Sequence, residues 1–123
     1  MLNDIVIANL QKAREIITPE DKWCVGARWL HRGRYSGNTH CALGALEAAG
    51  VAEKNMANSC HPEVVALAAA IPAKEKARSS DGWTDFPADT PVAQYNNRST
   101  HNQVLEWFDR TVAHLKQHPM EAA

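Results

Sequence analysis

Apolar side chains recur with the period of an α-helix near the start of the chain, where residues 3–17 carry them on one face. Asn3 is placed to cap the first turn, and Thr18-Pro19 ends the pattern because proline cannot continue a helix. Glu20-Asp21 follows that proline as the acids of a first turn would, so one further helical turn is expected there. The apolar positions of the first helix are Leu2, Ile5, Val6, Leu10, Ala13, Ile16 and Ile17.

Apolar residues recur with the same helical period towards the end of the chain. Thr100 with Gln103 three residues later has the pattern of a capping box, in which each side chain bonds the other residue's backbone N–H. The helix that follows closes at His118-Pro119. Its residues predicted to face the core are Val104, Leu105, Trp107, Phe108, Thr111, Val112 and Leu115.

A third helix is predicted in the middle of the chain, in the run of small apolar residues that ends at Gly50. Asn38 or Thr39 can act as its N-cap, and Gly50 can take the left-handed conformation that closes its last turn. Small side chains let neighbouring backbones approach closely, so this helix is expected to be central and buried. It places Cys41 in its first turn.

Shorter patterns predict the structure of the segments between these three helices. Residues 62–71 predict a helix, and Thr90-Pro91 predicts the start of another of one or two turns, with a turn at residues 96–99. The stretch 79–91 is rich in turn-forming residues and predicts a long loop that Trp83 helps to anchor. Alternation of apolar residues at 23–35 fits a small β-hairpin, and an irregular loop pinned by tryptophan rings is the alternative.

The chain therefore predicts a mainly α fold, a compact single-domain bundle of four or five helices over residues 1–123 with long loops. A net charge of −1 implies no whole-molecule attraction to nucleic acid or to an anionic membrane. Three cysteines without a CxxC pair, and no secretion signal, favour reduced thiols in a cytoplasmic protein. We expect a monomer or small homo-oligomer, without a membrane-spanning segment.

Cys41 is the first candidate for chemistry. At a helix N-terminus the dipole lowers the pKa of a thiol, so Cys41 could act as a nucleophile. His40 or His101 would then serve as the base, and Asn96 or Asn97 would orient that histidine. The competing interpretation, which we favour, is a buried cysteine that packs as a small apolar residue.

A basic patch with aromatic neighbours is the second candidate. Arginine and histidine alternate with aromatic rings between residues 28 and 35, as in grooves that bind single-stranded nucleic acid or a phosphate ligand. Because overall positive charge is lacking, an exposed loop with internal ion pairs is the favoured interpretation. The histidines and cysteines lack the close spacing of zinc ligands, so we expect no metal and no cofactor. The binding candidates are Arg28, Trp29, Arg32, Arg34, Tyr35 and Trp83.

Three short motifs carry a family resemblance: Trp23-Cys24-Val25-Gly26-Ala27, Cys41-Ala42-Leu43-Gly44-Ala45-Leu46, and Tyr95-Asn96-Asn97 ahead of the last helix. With them the chain resembles the DUF6197 family of small uncharacterised proteins. The resemblance implies a bacterial or phage origin and no established activity, and Asn97 stands where the family commonly has Asp. If these positions are structural, Asn96 caps or turns the chain beside the Cys41 helix, and Asp109 makes a buried contact with Arg14 or Arg28.

The sequence thus favours a non-enzymatic binding or accessory module for an unknown protein or small molecule, acting through the Arg28–Tyr35 loop together with the Trp83 loop. The alternative is a hydrolase or transferase with Cys41 as nucleophile, His101 as base and Asn96 in support. A third hypothesis is a single-stranded nucleic-acid or phosphate-ligand binder that uses the same Arg28–Tyr35 loop.

Overall fold

The computed structural model describes residues 2–24, 40–51, 61–74 and 89–119. Those residues form five α-helices and one 3₁₀ turn and contain no β-strand, which confirms the mainly α prediction. An isolated parallel bridge pairs Trp23 with His40. The elements are α1 (Leu2–Ile17), the 3₁₀ turn (Glu20–Lys22), α2 (Ala42–Ala48), α3 (Pro62–Ala69), α4 (Asp89–Arg98) and α5 (His101–Gln117).

Helix α1 forms one side of the core, and most of the other helices pack against it. It contacts α2, α5 and α3, while α3 and α2 both contact α4. The predicted central helix is confirmed as α2, in which every residue from Ala42 to Leu46 is buried. No helix in the described ranges is long and apolar enough to cross a membrane.

Trp107 is the largest fully buried side chain among the described residues, and it joins α5 to two other helices. Its indole N–H donates to the Leu67 carbonyl oxygen at 2.8 Å, at the end of α3. The Tyr95 ring of α4 meets it edge-on, with 4.7 Å between ring centroids. A buried indole needs a partner for its N–H, and this geometry supplies one without water.

The capping signals predicted at the start of α5 and at the end of α2 are confirmed. In α5, Gln103 N donates to Thr100 Oγ1 at 3.2 Å and Thr100 N donates to Gln103 Oε1 at 2.8 Å, which completes the capping box. At the end of α2, Gly50 has a φ of +93°. Val51 N donates to Leu46 O and Gly50 N to Glu47 O, each at 3.0 Å, the hydrogen bonds of a Schellman motif.

Three predictions about local structure were wrong. Asn3, predicted as the N-cap of the first helix, lies inside α1, and its side-chain amide donates to the Leu115 carbonyl oxygen at 3.2 Å. Residues 96–98, predicted as part of a turn, are the last turn of α4, because the Asn96 side chain bonds other segments and does not compete for its own backbone. Asp109 does pair with Arg14, at 2.7 Å between Oδ1 and Nε, but the pair is not buried, since the Asp109 side chain is 61% exposed. Residues 25–39 and 75–88 lie outside the described ranges, so neither the 23–35 hairpin nor the Trp83 loop is described.

Gly50→Ala should lower the free energy of unfolding by about 1 kcal/mol, because an L-residue is strained at this φ. Nothing lies within 4 Å of the added Cβ, so the loss comes from the backbone alone. Gly50→Asn, which tolerates the left-handed region, should lose less. Urea unfolding of the two variants checks this, and equal losses would contradict it.

Asp109→Ala should lower the free energy of unfolding by no more than about 1 kcal/mol, because solvent screens an exposed ion pair. The pair should also weaken in salt. Thermal melts of the variant at low and high ionic strength test both points. A loss of several kcal/mol would mean that the pair is buried in solution.

Candidate functional site

Asn96 on α4 is fully buried, and its amide joins four groups. Its Oδ1 accepts from Trp23 Nε1 at 2.9 Å and from the Ala42 backbone N–H at 3.1 Å. Its Nδ2 donates to the Cys24 carbonyl oxygen at 3.1 Å and to Asn97 Oδ1 at 3.4 Å. Both Oδ1 partners can only donate and Cys24 O can only accept, so the orientation of the amide is fixed by its neighbours.

We call this arrangement of Trp23, Cys24, Ala42 and Asn96 the Asn96 junction. It caps α2 from a distance, because Ala42 is the first residue of α2 and lies 54 residues from Asn96 in the chain. Cys41 is the N-cap residue and makes no side-chain capping bond. Cys41 therefore lies one position before the first turn in which it was predicted, and Asn38 and Thr39, the predicted caps, lie outside the described residues.

The backbone of His40, which leads into α2, is hydrogen-bonded to the residues on either side of Trp23. His40 N donates to the Lys22 carbonyl oxygen at 2.8 Å, and Cys24 N donates to the His40 carbonyl oxygen at 3.2 Å. These two bonds form the parallel bridge that flanks Trp23. The segment that follows the 3₁₀ turn is thereby fixed against the residue that leads into α2.

His101, the predicted base, is the first residue of α5. Its Nε2 lies 2.7 Å from the Ile17 carbonyl oxygen at the end of α1. Because a carbonyl oxygen only accepts, Nε2 carries the proton, and in the neutral ring Nδ1 is the nitrogen left with a lone pair. The His101 ring also lies against the Trp23 indole, with 5.5 Å between centroids.

The structure thus brings the predicted catalytic residues to neighbouring positions around one tryptophan. Asn96 bonds the Trp23 indole, His101 packs on it, and Cys41 directly precedes the capped residue Ala42. Cys41 is only 2% exposed, so a substrate could not reach its sulfur without movement of the chain around it. The sequence did not single out Trp23 as a partner of Asn96; the only signal was that a buried indole N–H needs an acceptor.

A separate polar pocket of about 310 Å³ lies where α4 meets α5. It is lined by Pro72 and Lys74, which follow α3, and by residues from the end of α4 and the first half of α5. No sequence pattern marks this pocket, because Lys74 lies far in the chain from Arg98, Glu106 and Arg110. The polar and charged residues that line it include Lys74, Tyr95, Arg98, Gln103, Glu106 and Arg110.

The predicted binding residues of the Arg28–Tyr35 loop and Trp83 lie outside the described ranges, so their arrangement is not part of this structure. Across the part of the chain that is described, no group of three or more His, Cys, Asp or Glu side chains is placed to hold a metal ion. His114 and His118 do face each other, with 4.7 Å between ring centroids.

The model of a family of unknown function, DUF6197, matches residues 1–114. The family resemblance drawn from the three motifs is therefore confirmed. No curated protein and no solved structure matches the chain.

Asn96→Ala should lower the free energy of unfolding by about 2–4 kcal/mol, because it leaves the buried Ala42 N–H and the Trp23 indole N–H without their acceptor. Asn102→Ala is the matched control: Asn102 is exposed on α5, and its loss should stay within about 0.5 kcal/mol. Chemical unfolding of both variants measures the difference. Equal, small losses would show that the junction contributes little to stability.

Proposed function

We propose that this chain, which belongs to the DUF6197 family of unknown function, is a non-enzymatic binding or accessory module. In this proposal Cys41, His101 and Asn96 serve the fold, and a small-molecule or protein partner is bound elsewhere on the surface. A cytoplasmic location belongs to the same proposal, because it rests on the cysteine content and not on a structural observation.

The observation that carries the proposal is the burial of Cys41 at 2% exposure. A nucleophilic cysteine has to present its sulfur to the substrate, with a base within hydrogen-bond reach in a plausible substrate pose. The supporting residues also have other partners, since the Asn96 amide bonds Trp23, Cys24 and Ala42 and the His101 Nε2 bonds Ile17. These contacts support structural roles for all three side chains.

A cysteine-dependent hydrolase or transferase is the second candidate. One observation favours it: Cys41, Asn96 and His101 are neighbours of the same Trp23–Ala42 region, although they come from different helices. The Nδ1 of neutral His101 could act as a base, because Nε2 is committed to Ile17. This candidate requires the junction to open, since Cys41 is closed to solvent in the described fold.

Alkylation of the folded protein separates the two candidates. The rate of Cys41 alkylation by iodoacetamide is measured by peptide mass spectrometry between pH 5 and pH 9. We expect Cys41 to be alkylated only as fast as the protein unfolds. Cys24 is partly exposed and gives an internal comparison in the same sample, and a Cys41→Ala variant identifies the Cys41 signal. Fast labelling of Cys41 at a pH well below the ordinary thiol pKa of about 8.5 would overturn the proposal and favour the enzyme.

A further inference from the structure

Two of the three cysteines lie opposite each other where the segment after the 3₁₀ turn runs beside the residues that lead into α2. In the parallel bridge between Trp23 and His40, Cys24 N donates to the His40 carbonyl oxygen at 3.2 Å. Each cysteine is the residue directly after its half of the bridge, so the register places Cys24 opposite Cys41. Both are thiols in this structure.

The backbone is extended at Trp23 and at Cys41. Trp23 has a φ of −106° and a ψ of 147°, and Cys41 has a φ of −81° and a ψ of −178°. Successive side chains of an extended chain point to opposite faces, so Cys24 and Cys41 share one face and Trp23 has the other. Neighbouring strands lie about 4.8 Å apart, and disulfides join residues whose Cα atoms are about 4.4–6.8 Å apart. The register therefore brings the two cysteines within reach of a disulfide.

The Asn96 amide takes the place of the next hydrogen bond of this bridge. Continued parallel pairing would join the Ala42 N–H to the Cys24 carbonyl oxygen. The amide lies between these two groups instead, accepting from Ala42 N at 3.1 Å and donating to Cys24 O at 3.1 Å. Direct backbone pairing therefore ends at the two cysteines, and a buried side chain holds both segments in place there.

The two cysteines differ in their access to solvent. Cys24 is partly exposed, whereas Cys41 is buried. A small oxidant in solution therefore meets Cys24 first, and Cys41 is the sulfur that the register places beside it. Cysteines that sense oxidants have this arrangement, with an accessible thiol that reacts and a second cysteine next to it that resolves the product.

We propose that Cys24 and Cys41 form a site of reversible oxidation, at which hydrogen peroxide converts the two thiols into a disulfide. The Cys24 thiolate attacks one peroxide oxygen, the O–O bond breaks and hydroxide leaves, so Cys24 becomes a sulfenic acid. The Cys41 sulfur then attacks the Cys24 sulfur, the S–O bond breaks, and water leaves with the Cys41 proton. The two thiols supply two electrons to one peroxide, and the products are one disulfide and two waters.

The disulfide joins the segment after the 3₁₀ turn covalently to the N-cap residue of α2. It thus strengthens a contact that Asn96 already makes by hydrogen bonds. The inference goes beyond the proposed function, because it requires neither a binding partner nor catalytic turnover. Slow alkylation of Cys41 is compatible with it, since peroxide has to reach only Cys24.

The test is oxidation of the folded full chain by hydrogen peroxide, with cross-linked peptides identified by mass spectrometry without reduction. We expect the Cys24–Cys41 cross-link to exceed every other pairing by at least about tenfold, and dithiothreitol to reverse it. The matched control is the same oxidation in urea. There Cys24–Cys41 and Cys41–Cys60 should form in comparable amounts, because the two pairs close loops of nearly equal length.

Three variants separate the roles of the sulfurs. In Cys41→Ala, which keeps a small apolar side chain at a buried position, Cys24 should remain a sulfenic acid that dimedone traps. In Cys24→Ala, Cys41 should be oxidised at least about tenfold more slowly than in the unchanged chain, because it is buried. Cys60→Ala is the control and should form the Cys24–Cys41 disulfide at an unchanged rate.

The oxidised chain should melt roughly 5–10 °C above the reduced chain, because a cross-link that fits the native register restricts only the unfolded chain. The proposal is overturned if peroxide leaves the two thiols of the folded protein unlinked, if a pairing with Cys60 predominates, or if the disulfide fails to raise the melting temperature. The same distribution of cross-links in folded and urea-unfolded protein overturns it as well.

Discussion

A single buried amide, that of Asn96, sets where the central helix begins. Helix α2 has only seven residues, too few to be stable through its own hydrogen bonds, and its N-cap residue Cys41 makes no side-chain capping bond. Asn96 Oδ1 supplies an acceptor from α4 and is shared with the Trp23 indole. Because the amide has no exposure to water, each of these bonds replaces solvation that the groups lost on burial.

The junction extends to the ends of the two long helices. Trp23, held by Asn96, lies against His101 at the start of α5, and His101 in turn bonds the last carbonyl of α1 at Ile17. The predicted catalytic residues, Cys41, Asn96 and His101, are therefore placed by one connected set of contacts. That is the physical reason why the side chains of Asn96 and His101 have partners within the fold.

Local signals predicted the parts of the fold that depend on neighbouring residues. The Thr100–Gln103 capping box, the left-handed Gly50 and the apolar faces of α1 and α5 follow from spacing within a few residues, except that Ile5 on α1 is exposed. The errors came from contacts distant in sequence. Turn-forming residues at 96–98 became helical because Asn96 bonds Trp23 and Ala42. The exposure of Asp109 depends on how α1 and α5 pack together, which no local pattern contains.

The candidate site also contains some features that the sequence predicted and others that depend on tertiary packing. Asn96 was expected beside the Cys41 helix from the family motifs, but its partner Trp23 could not be found without the packing that brings residue 23 to residue 96. The polar pocket was not foreseen at all, because Lys74, Tyr95 and Arg110 share no spacing that marks a site. Residues that meet only through tertiary contacts leave no periodic signal in the sequence.

Hydrogen exchange of the native protein tests the central claim most directly. The Trp23 indole N–H and the Ala42 amide N–H share Asn96 Oδ1, so both should exchange slowly and through the same opening, with equal protection free energies. NMR under conditions in which exchange is limited by that equilibrium would measure both. An indole proton that exchanges freely while the Ala42 amide stays protected would show that Asn96 does not join these segments.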